Sequence, residues 1–200
     1  MSKPLLIIAI LCLPYGLRAH QPDISSTMLV EQTEEIWLLQ VRGALTAFEY
    51  LVQDHYGAST YATPEEFRQL VDEYLRSRIS IEFGGGEMAT LADGAVKLGH
   101  ETMVTYRLDA SLSDAASLVV TNTSFRPIRH NQNVLYFVRA GAAREQFILS
   151  DDNDQRVKLE ASEGKFVLAA PSSGWVGFLP YFMSFGLALA VAMGYSSSRR

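Results

Sequence analysis

The chain has almost no cysteine. Its single cysteine, Cys12, lies in an apolar run close to the N-terminus. Removal of that run during export would leave a mature protein without any thiol. This excludes disulfides, cysteine-ligated metals and a cysteine nucleophile. The mature fold would then depend on its hydrophobic core alone.

Positive charge is also scarce. The chain has 17 basic and 22 acidic residues. Four of the basic residues, Lys3, Arg18, Arg199 and Arg200, lie near the two ends of the sequence, so 13 basic residues remain against 22 acidic ones, a formal charge of −9. A surface of that charge repels the phosphates of nucleic acid and anionic lipid headgroups, and we expect no nucleic-acid partner.

The first 19 residues have the three parts of a secretory signal peptide. Lys3 gives a basic start, residues 5–13 are apolar, and the Pro14-Tyr15-Gly16 break is followed shortly by Ala19. This order predicts cleavage after Ala19, so that residue 20 becomes the mature N-terminus. An uncleaved membrane anchor is the alternative, although the apolar run is short for a membrane span.

A second apolar stretch, residues 175–195, contains no charged residue and has Trp175 and Tyr195 at its ends. Its length predicts a transmembrane helix. The two arginines that follow favour a cytoplasmic tail at residues 196–200. A buried core helix, an apolar last strand and a processed sorting tail are the alternatives.

Small residues line one face of this predicted span. Gly186, Ala190 and Gly194 recur every four residues. Such a face allows two helices to approach closely. Self-association through the transmembrane helix is therefore a further hypothesis.

The segment between the two apolar ends, residues 20–174, is predicted to be one extracytoplasmic, mainly β domain. Apolar and polar residues alternate over short stretches, which polar and glycine-containing turns separate. The predicted strands are residues 24–30, 36–48, 79–83, 102–108, 117–121, 134–139, 145–149, 156–161 and 165–170. This spacing is typical of an antiparallel, immunoglobulin-like β-sandwich.

One inserted helix is predicted within this pattern. Thr63 is a suitable N-cap, Pro64 suits the first helical position, and Glu66 completes a capping box. Apolar residues then recur at helical spacing as far as Leu75. Residues 53–62, which precede the cap, are predicted to form a loop.

The order of these elements resembles a known layout. Two early strands precede a capped helix, which runs into Leu75-Arg76-Ser77-Arg78-Ile79-Ser80-Ile81, and residues 133–149 follow as two strands with an acidic turn. The layout resembles a family of small, uncharacterised bacterial envelope domains. It is also similar to the extracytoplasmic N-terminal domain of membrane proteins associated with hydrogenase and urease nickel supply. The resemblance implies an exported β-sandwich near a membrane. Those nickel-related proteins have several spans, whereas one is predicted here.

Four histidines are candidate metal ligands. Cleavage after Ala19 would make His20 the first residue, and its α-amino and imidazole nitrogens could chelate one ion. Nitrogen ligands of this kind suit copper and nickel. His55, His100 and His130 are candidate further ligands because they lie in the same predicted domain. None of the four has the close spacing of a zinc motif.

Catalytic motifs are missing from the sequence. No Gly-x-Ser-x-Gly elbow surrounds a serine. Gly84-Gly85-Gly86 lacks the Lys-Ser/Thr of a phosphate loop, and the acidic residues 151–154 lack the glycine and glutamate of a calcium loop. Asn122-Thr123-Ser124 matches a glycosylation sequon.

We therefore expect a non-catalytic binding or scaffold domain, anchored on the extracytoplasmic side of a bacterial membrane, with another envelope protein as its partner. Tyr50, Tyr56 and Tyr61 form either its recognition surface or a cover over the end of the core. Copper or nickel handling through His20 is the alternative. A hydrolase with an unrecognised site is a further alternative.

Overall fold

Two β-sheets and two α-helices form the part of the chain that the structure describes. The computed structural model describes residues 24–170 except 34, 111, 113 and 140. The predicted signal peptide (residues 1–19), His20, the predicted transmembrane helix and the predicted cytoplasmic tail lie outside these residues. The elements in chain order are β1 (Ile24–Thr33), β2 (Ile36–Ala44), α1 (Leu45–Tyr56), α2 (Pro64–Arg76), β3 (Ile79–Phe83), β4 (Glu87–Met88), β5 (Thr90–Lys97), β6 (Glu101–Asp109), β7 (Ser117–Asn122), β8 (Gln132–Val138), β9 (Glu145–Leu149), β10 (Arg156–Ser162) and β11 (Lys165–Leu168).

The mainly β prediction is confirmed. One sheet has six strands in the order β5-β6-β2-β1-β8-β9, and the other has five in the order β11-β10-β7-β3-β4. The inner faces of both sheets supply one core, in which Trp37 of β2 is fully buried. Rings from the two sheets meet there, since the centroids of Phe137 on β8 and Phe166 on β11 lie 5.0 Å apart. Burial alternates along strands such as β2 and β6, as the period of two requires.

Strand pairing in the described residues is mainly antiparallel, as predicted, and one pair departs from that prediction. Strand β1 pairs with β8 in parallel, with Ile24 opposite Gln132. The hydroxyl of Ser25 donates to Asn131 Oδ1 at 2.9 Å across this pair. Parallel strands need a crossover rather than a tight turn. Here most of the described residues lie between β1 and β8 in the chain and form the crossover. Short-range alternation of apolar and polar residues therefore does not indicate this pairing.

Hydrogen bonds between buried side chains connect the two sheets. Thr27 of β1 donates to Asn133 Oδ1 of β8 at 2.9 Å and accepts from Asn122 Nδ2 of β7 at 2.8 Å. Asn122 Oδ1 accepts from the hydroxyl of Ser124, whose carbonyl oxygen accepts from the hydroxyl of Tyr74 on α2 at 2.7 Å. A one-residue slip of β1, β7 or β8 would leave these buried groups unpaired, so the network fixes the register of those three strands.

Helix α1 replaces the predicted end of the second strand and part of the predicted loop. Strand β2 ends at Ala44, and Leu45–Tyr56 are helical. The prediction of a single inserted helix was therefore wrong. Its sequence signal is weak because Ala44 has no capping group and the first turn has no acidic residue. The available signal was the helical spacing of the buried residues Ala47, Phe48, Leu51 and Val52.

Helix α2 begins as predicted. The Glu66 amide donates to Thr63 Oγ1 at 3.2 Å, and the Thr63 amide donates to Glu66 Oε2 at 3.3 Å, which completes the capping box. The apolar face of the helix is buried against the sheets and α1 through Phe67, Val71, Tyr74 and Leu75.

No strand was predicted at β5, because the Asp93-Gly94 dipeptide within it is typical of a turn between strands. The dipeptide is instead a bulge in an edge strand, and the pairing with β6 shifts there. A side chain at Gly94 would overlap Asp72 Oδ1 and Arg76 Nη2 of α2. The Arg76 guanidinium also lies 4.8 Å from the ring centroid of Tyr106. Burial, followed by the nearby Asp72 carboxylate, raises the pKa of Tyr106. This cluster attaches α2 to the edge of the six-stranded sheet.

The chain divides into two units after Leu168. Within the described residues, neither helix is long and apolar enough to cross a bilayer. The predicted span at residues 175–195 lies beyond this range.

Candidate binding surface beside helix α1

An apolar hollow of about 410 Å³ lies between α1 and the loop before β8. The residues that line it are Thr46, Ala47, Tyr50, Pro127, Ile128 and Arg129. We call it the α1 hollow. Ligand-binding pockets are typically concave and mostly apolar, with volumes of about 300 to 1,000 Å³, and this hollow falls within that range.

Tyr50 is the exposed aromatic residue of this hollow. Helix α1 buries one face in the core, and Tyr50 lies on the other face with 49% of its surface exposed. Tyr56 and Tyr61 are half-buried and pack against the core. The Tyr61 ring lies 4.7 Å from the ring of Phe67. The structure therefore separates the three tyrosines: two cover the core, and Tyr50 alone of the three has the exposure that a recognition surface requires.

The opposite wall of the hollow is a loop fixed to α1. Phe125 at its start is buried, and its ring meets Phe48 of α1 edge-on with centroids 5.4 Å apart. Successive backbone hydrogen bonds then hold the loop, including Ile128 N to Phe125 O at 3.0 Å. Because Phe125 anchors the loop, the positions of Ile128 and Arg129 relative to Tyr50 are defined by packing.

Arg129 gives the rim of the hollow a positive charge. Its side chain is exposed, and it forms no ion pair with any other described residue. Arg126 of the same loop is instead 3.6 Å from both Asp151 and Asp154. The two arginines therefore differ, since only Arg126 already lies beside acidic groups.

The first turn of α1 lines the same hollow through Thr46 and Ala47. The Leu45 amide donates to the carbonyl oxygen of His100 at 3.1 Å. The following amides, of Thr46 and Ala47, receive no side-chain cap. Amides at a helix N-terminus carry partial positive charge.

Two smaller hollows continue around the same end of α1. One of about 300 Å³ lies toward α2 and is lined by Leu45, Glu49, Tyr61, Ala62, Thr63, Pro64, Phe67 and Leu98. The other, of about 100 Å³, lies between Leu45, Thr46 and the turn at His100. Shared lining residues make the three hollows one surface, which we call the α1 face.

His55 lies in the last turn of α1, at the other end of that helix. The Arg78 guanidinium is always protonated and donates to His55 Nδ1 at 3.4 Å. The ring of His55 also meets Tyr56 and Tyr74 edge-on, at 4.6 and 5.4 Å. Burial raises the pKa of Tyr74 to about 12, and Arg78 partly opposes that shift. This histidine is part of an aromatic and cationic cluster that joins α1 to α2.

His100 and His130 lie at one end of the six-stranded sheet. Strand β6 begins opposite Ala44 at the end of β2, and β1 begins at Ile24, opposite Gln132 at the start of β8. The pairing of β1 with β2 aligns these four strand ends in one row. His100 precedes β6 and His130 precedes β8, so both emerge from that row.

The predicted histidine ligands in the described part of the chain are thus not brought together, since the strands that follow His100 and His130 are three strand spacings apart, about 14 Å at about 4.8 Å each. His55 is ten residues along α1 from the end at which His100 lies, about 15 Å at a rise of 1.5 Å per residue. His55 and His100 therefore cannot share one ion. Among residues 24–170, apart from the four that are not described, no three His, Cys, Asp or Glu side chains are grouped closely enough to hold a metal.

Two other sequence motifs have structural roles. Asn122 of the glycosylation sequon is fully buried, and its amide both donates and accepts in the network that connects the sheets. It is not accessible for modification in the folded state. The acidic run forms a short 3₁₀ turn, Asp151–Asn153, in which Asn153 Nδ2 donates to the carbonyl oxygen of Ile148 at 2.7 Å.

Comparison with protein families and with curated proteins gives no match to this chain. The resemblance to envelope domains associated with nickel supply therefore remains an expectation based on layout.

Proposed function

We propose that this protein is a non-catalytic binding domain of a bacterial envelope, and that it docks another envelope protein at the α1 face. In this proposal the domain is an immunoglobulin-like sandwich on the extracytoplasmic side. Residues 1–19 direct export, and residues 175–195 hold the domain at the membrane.

The observation that carries the docking role is the exposed Tyr50 beside an apolar hollow with an arginine at its rim. Tyrosine and arginine are enriched among the residues that dominate binding energy at protein interfaces. The rigid loop opposite it keeps the shape of the hollow defined before a partner binds, which lowers the entropy cost of binding.

Site-specific photo-crosslinking of the full chain in cells tests this role. A benzophenone amino acid replaces Tyr50 in one variant and Met88 in a matched control. Met88 is also a large hydrophobic residue and is 57% exposed, but it lies on β4 of the five-stranded sheet. We expect a discrete adduct with a membrane-fraction protein at Tyr50 and none at Met88. Arg129→Glu, combined with the Tyr50 probe, should reduce the adduct. Equal adducts at both positions, or none at Tyr50, would contradict the proposal.

Copper or nickel handling is the second candidate function, and the row of strand ends favours it. His20 precedes Ile24 by four residues, a span of at most about 14 Å. The strands on either side of β1 lie about 4.8 Å away. An N-terminal His20 could therefore approach His130, one strand away, or His100, two strands away.

Titration of the mature full-length chain with copper and nickel distinguishes this candidate from simple docking. One preparation has His20 as its first residue, and another has one extra alanine before it. Metal handling predicts tight binding that the extra alanine abolishes and that His130→Ala or His100→Ala weakens. His55→Ala is the matched control and should have no effect. Binding that persists with the extra alanine would rule out the N-terminal chelate.

A further inference from the structure

We infer that the α1 hollow binds the C-terminal end of an apolar peptide segment, with the last side chain against Tyr50 and Ile128 and the terminal carboxylate beside Arg129. This inference rests on the proposed docking role and names the chemical feature that the docking surface recognises.

The charges around the hollow differ from those of the domain as a whole. The domain is strongly acidic, but the six lining residues include one arginine and no acid. Glu49, the acidic neighbour of Tyr50 on α1, lines the adjacent hollow instead. A ligand with an anionic end is therefore attracted to the α1 hollow and repelled by most of the remaining surface.

The apolar and cationic parts of the hollow are close enough for one residue to contact both. Ala47 and Tyr50 are one turn apart on α1, and Ile128 is the chain neighbour of Arg129. A C-terminal residue has an apolar side chain and a carboxylate on the same Cα atom, which matches this arrangement. Capture of a peptide's C-terminal carboxylate is an established recognition mode, and Arg129 supplies the cation for it in this hollow.

A comparison of free and blocked peptide ends tests the inference. Full-length protein in nanodiscs is incubated with two pools of random hexapeptides that end in Leu, Ile, Val or Phe. One pool has free carboxyl termini and the other has amidated termini. Mass spectrometry measures the peptides retained. We expect free acids to be retained about tenfold more than amides, the size expected for a hydrogen bond to a charged group.

Variants assign the effect to the α1 hollow. Arg129→Gln should abolish the preference for free acids, and Ile128→Ser should lower retention of both pools. Arg126→Gln is the matched control, because it removes the same charge from the same loop on the side that contacts acidic residues. It should leave the preference unchanged.

Equal retention of acids and amides, or retention of neither, would overturn the inference. A preference that Arg126→Gln abolishes and Arg129→Gln does not would also overturn it. The docking role is tested separately by the Tyr50 crosslink. An adduct at Tyr50 together with equal retention of the two pools would support the docking role but contradict the recognition of a C-terminal carboxylate.

Discussion

Replacing Thr27 with valine is expected to destabilise the fold by much more than the small change in side-chain shape suggests. Thr27 has no exposed surface, and its hydroxyl both donates to Asn133 and accepts from Asn122. Valine occupies nearly the same volume but has neither a donor nor an acceptor. Both asparagine side chains would then lose a hydrogen-bond partner inside the core.

The magnitude follows from these two lost partners. A buried polar group left unpaired costs about 1–3 kcal/mol. Two such groups suggest a loss of about 4 kcal/mol, a large share of the roughly 5–15 kcal/mol that stabilises a typical domain. Rotation of the Asn133 amide does not restore a lost hydrogen bond, because its Nδ2 atom already lacks a partner in the core.

Urea unfolding of the full-length protein in mild detergent measures this loss. Trp37 is fully buried, and in a Trp175→Phe background it is the sole tryptophan, so its fluorescence reports the domain. Thr105→Val, a half-buried change on β6, is the matched control and should cost less than about 1 kcal/mol.

A double variant then tests the network itself. Thr27→Val combined with Asn133→Leu removes both partners of one hydrogen bond, so the combined loss should be smaller than the sum of the single losses. If Thr27→Val costs no more than Thr105→Val, or if the two changes are additive, the hydrogen bonds do not stabilise the pairing of the sheets and the reasoning fails.

Three other changes have defined outcomes. The folded-state pKa of Tyr74 is raised to about 12, so the tyrosine of the unfolded state loses its proton first, and the stability of the fold decreases as the pH rises from about 10 to 12. Tyr74→Phe should reduce this decrease in urea midpoints measured across that pH range. An unchanged slope would refute the assignment of the decrease to Tyr74. Glu145 pairs with Arg139 at 2.9 Å and accepts from the amide of Phe166. Glu145→Ala removes both the charge and the acceptor, so it should lower the thermal midpoint and speed hydrogen exchange at that amide. Slow exchange at the Phe166 amide would contradict this role. Thr63→Ala removes the α2 cap and should lower the free energy of unfolding in urea by about 1 kcal/mol. Thr63→Asp supplies another capping side chain and should retain most of the stability that Thr63→Ala loses. If Thr63→Asp is as unstable as Thr63→Ala, capping is not the cause of the loss.

Local sequence signals predicted some elements and not others. Helix α2 was predictable because Thr63 and Glu66 form a complete capping box ahead of an amphipathic stretch. Helix α1 begins directly from a strand without a cap, and its aromatic and β-branched residues resemble a strand continuation. The Asp93-Gly94 bulge has the composition of a turn, and only its packing against α2 distinguishes the two.

The candidate site was less predictable than the fold. Tyr50 was a candidate recognition residue because of its side-chain type, but Tyr56 and Tyr61 were candidates for the same reason. Ile128 and Arg129 could not be assigned to a surface, because the hollow forms only when their loop packs against α1 about 80 residues earlier in the chain. The row of strand ends likewise depends on the parallel pairing of β1 with β8, which no local pattern indicates.

The same pairing controls when the domain can fold as the chain emerges. Strand β1 appears early during synthesis, but Asn133, the partner of Thr27, follows 106 residues later. Until then β1 has one free edge inside what will become the middle of a sheet, and contacts of such large sequence separation form slowly. Completion of the six-stranded sheet is therefore a late event in folding. A chain interrupted before β8 would expose an unpaired strand, and such edges promote aggregation.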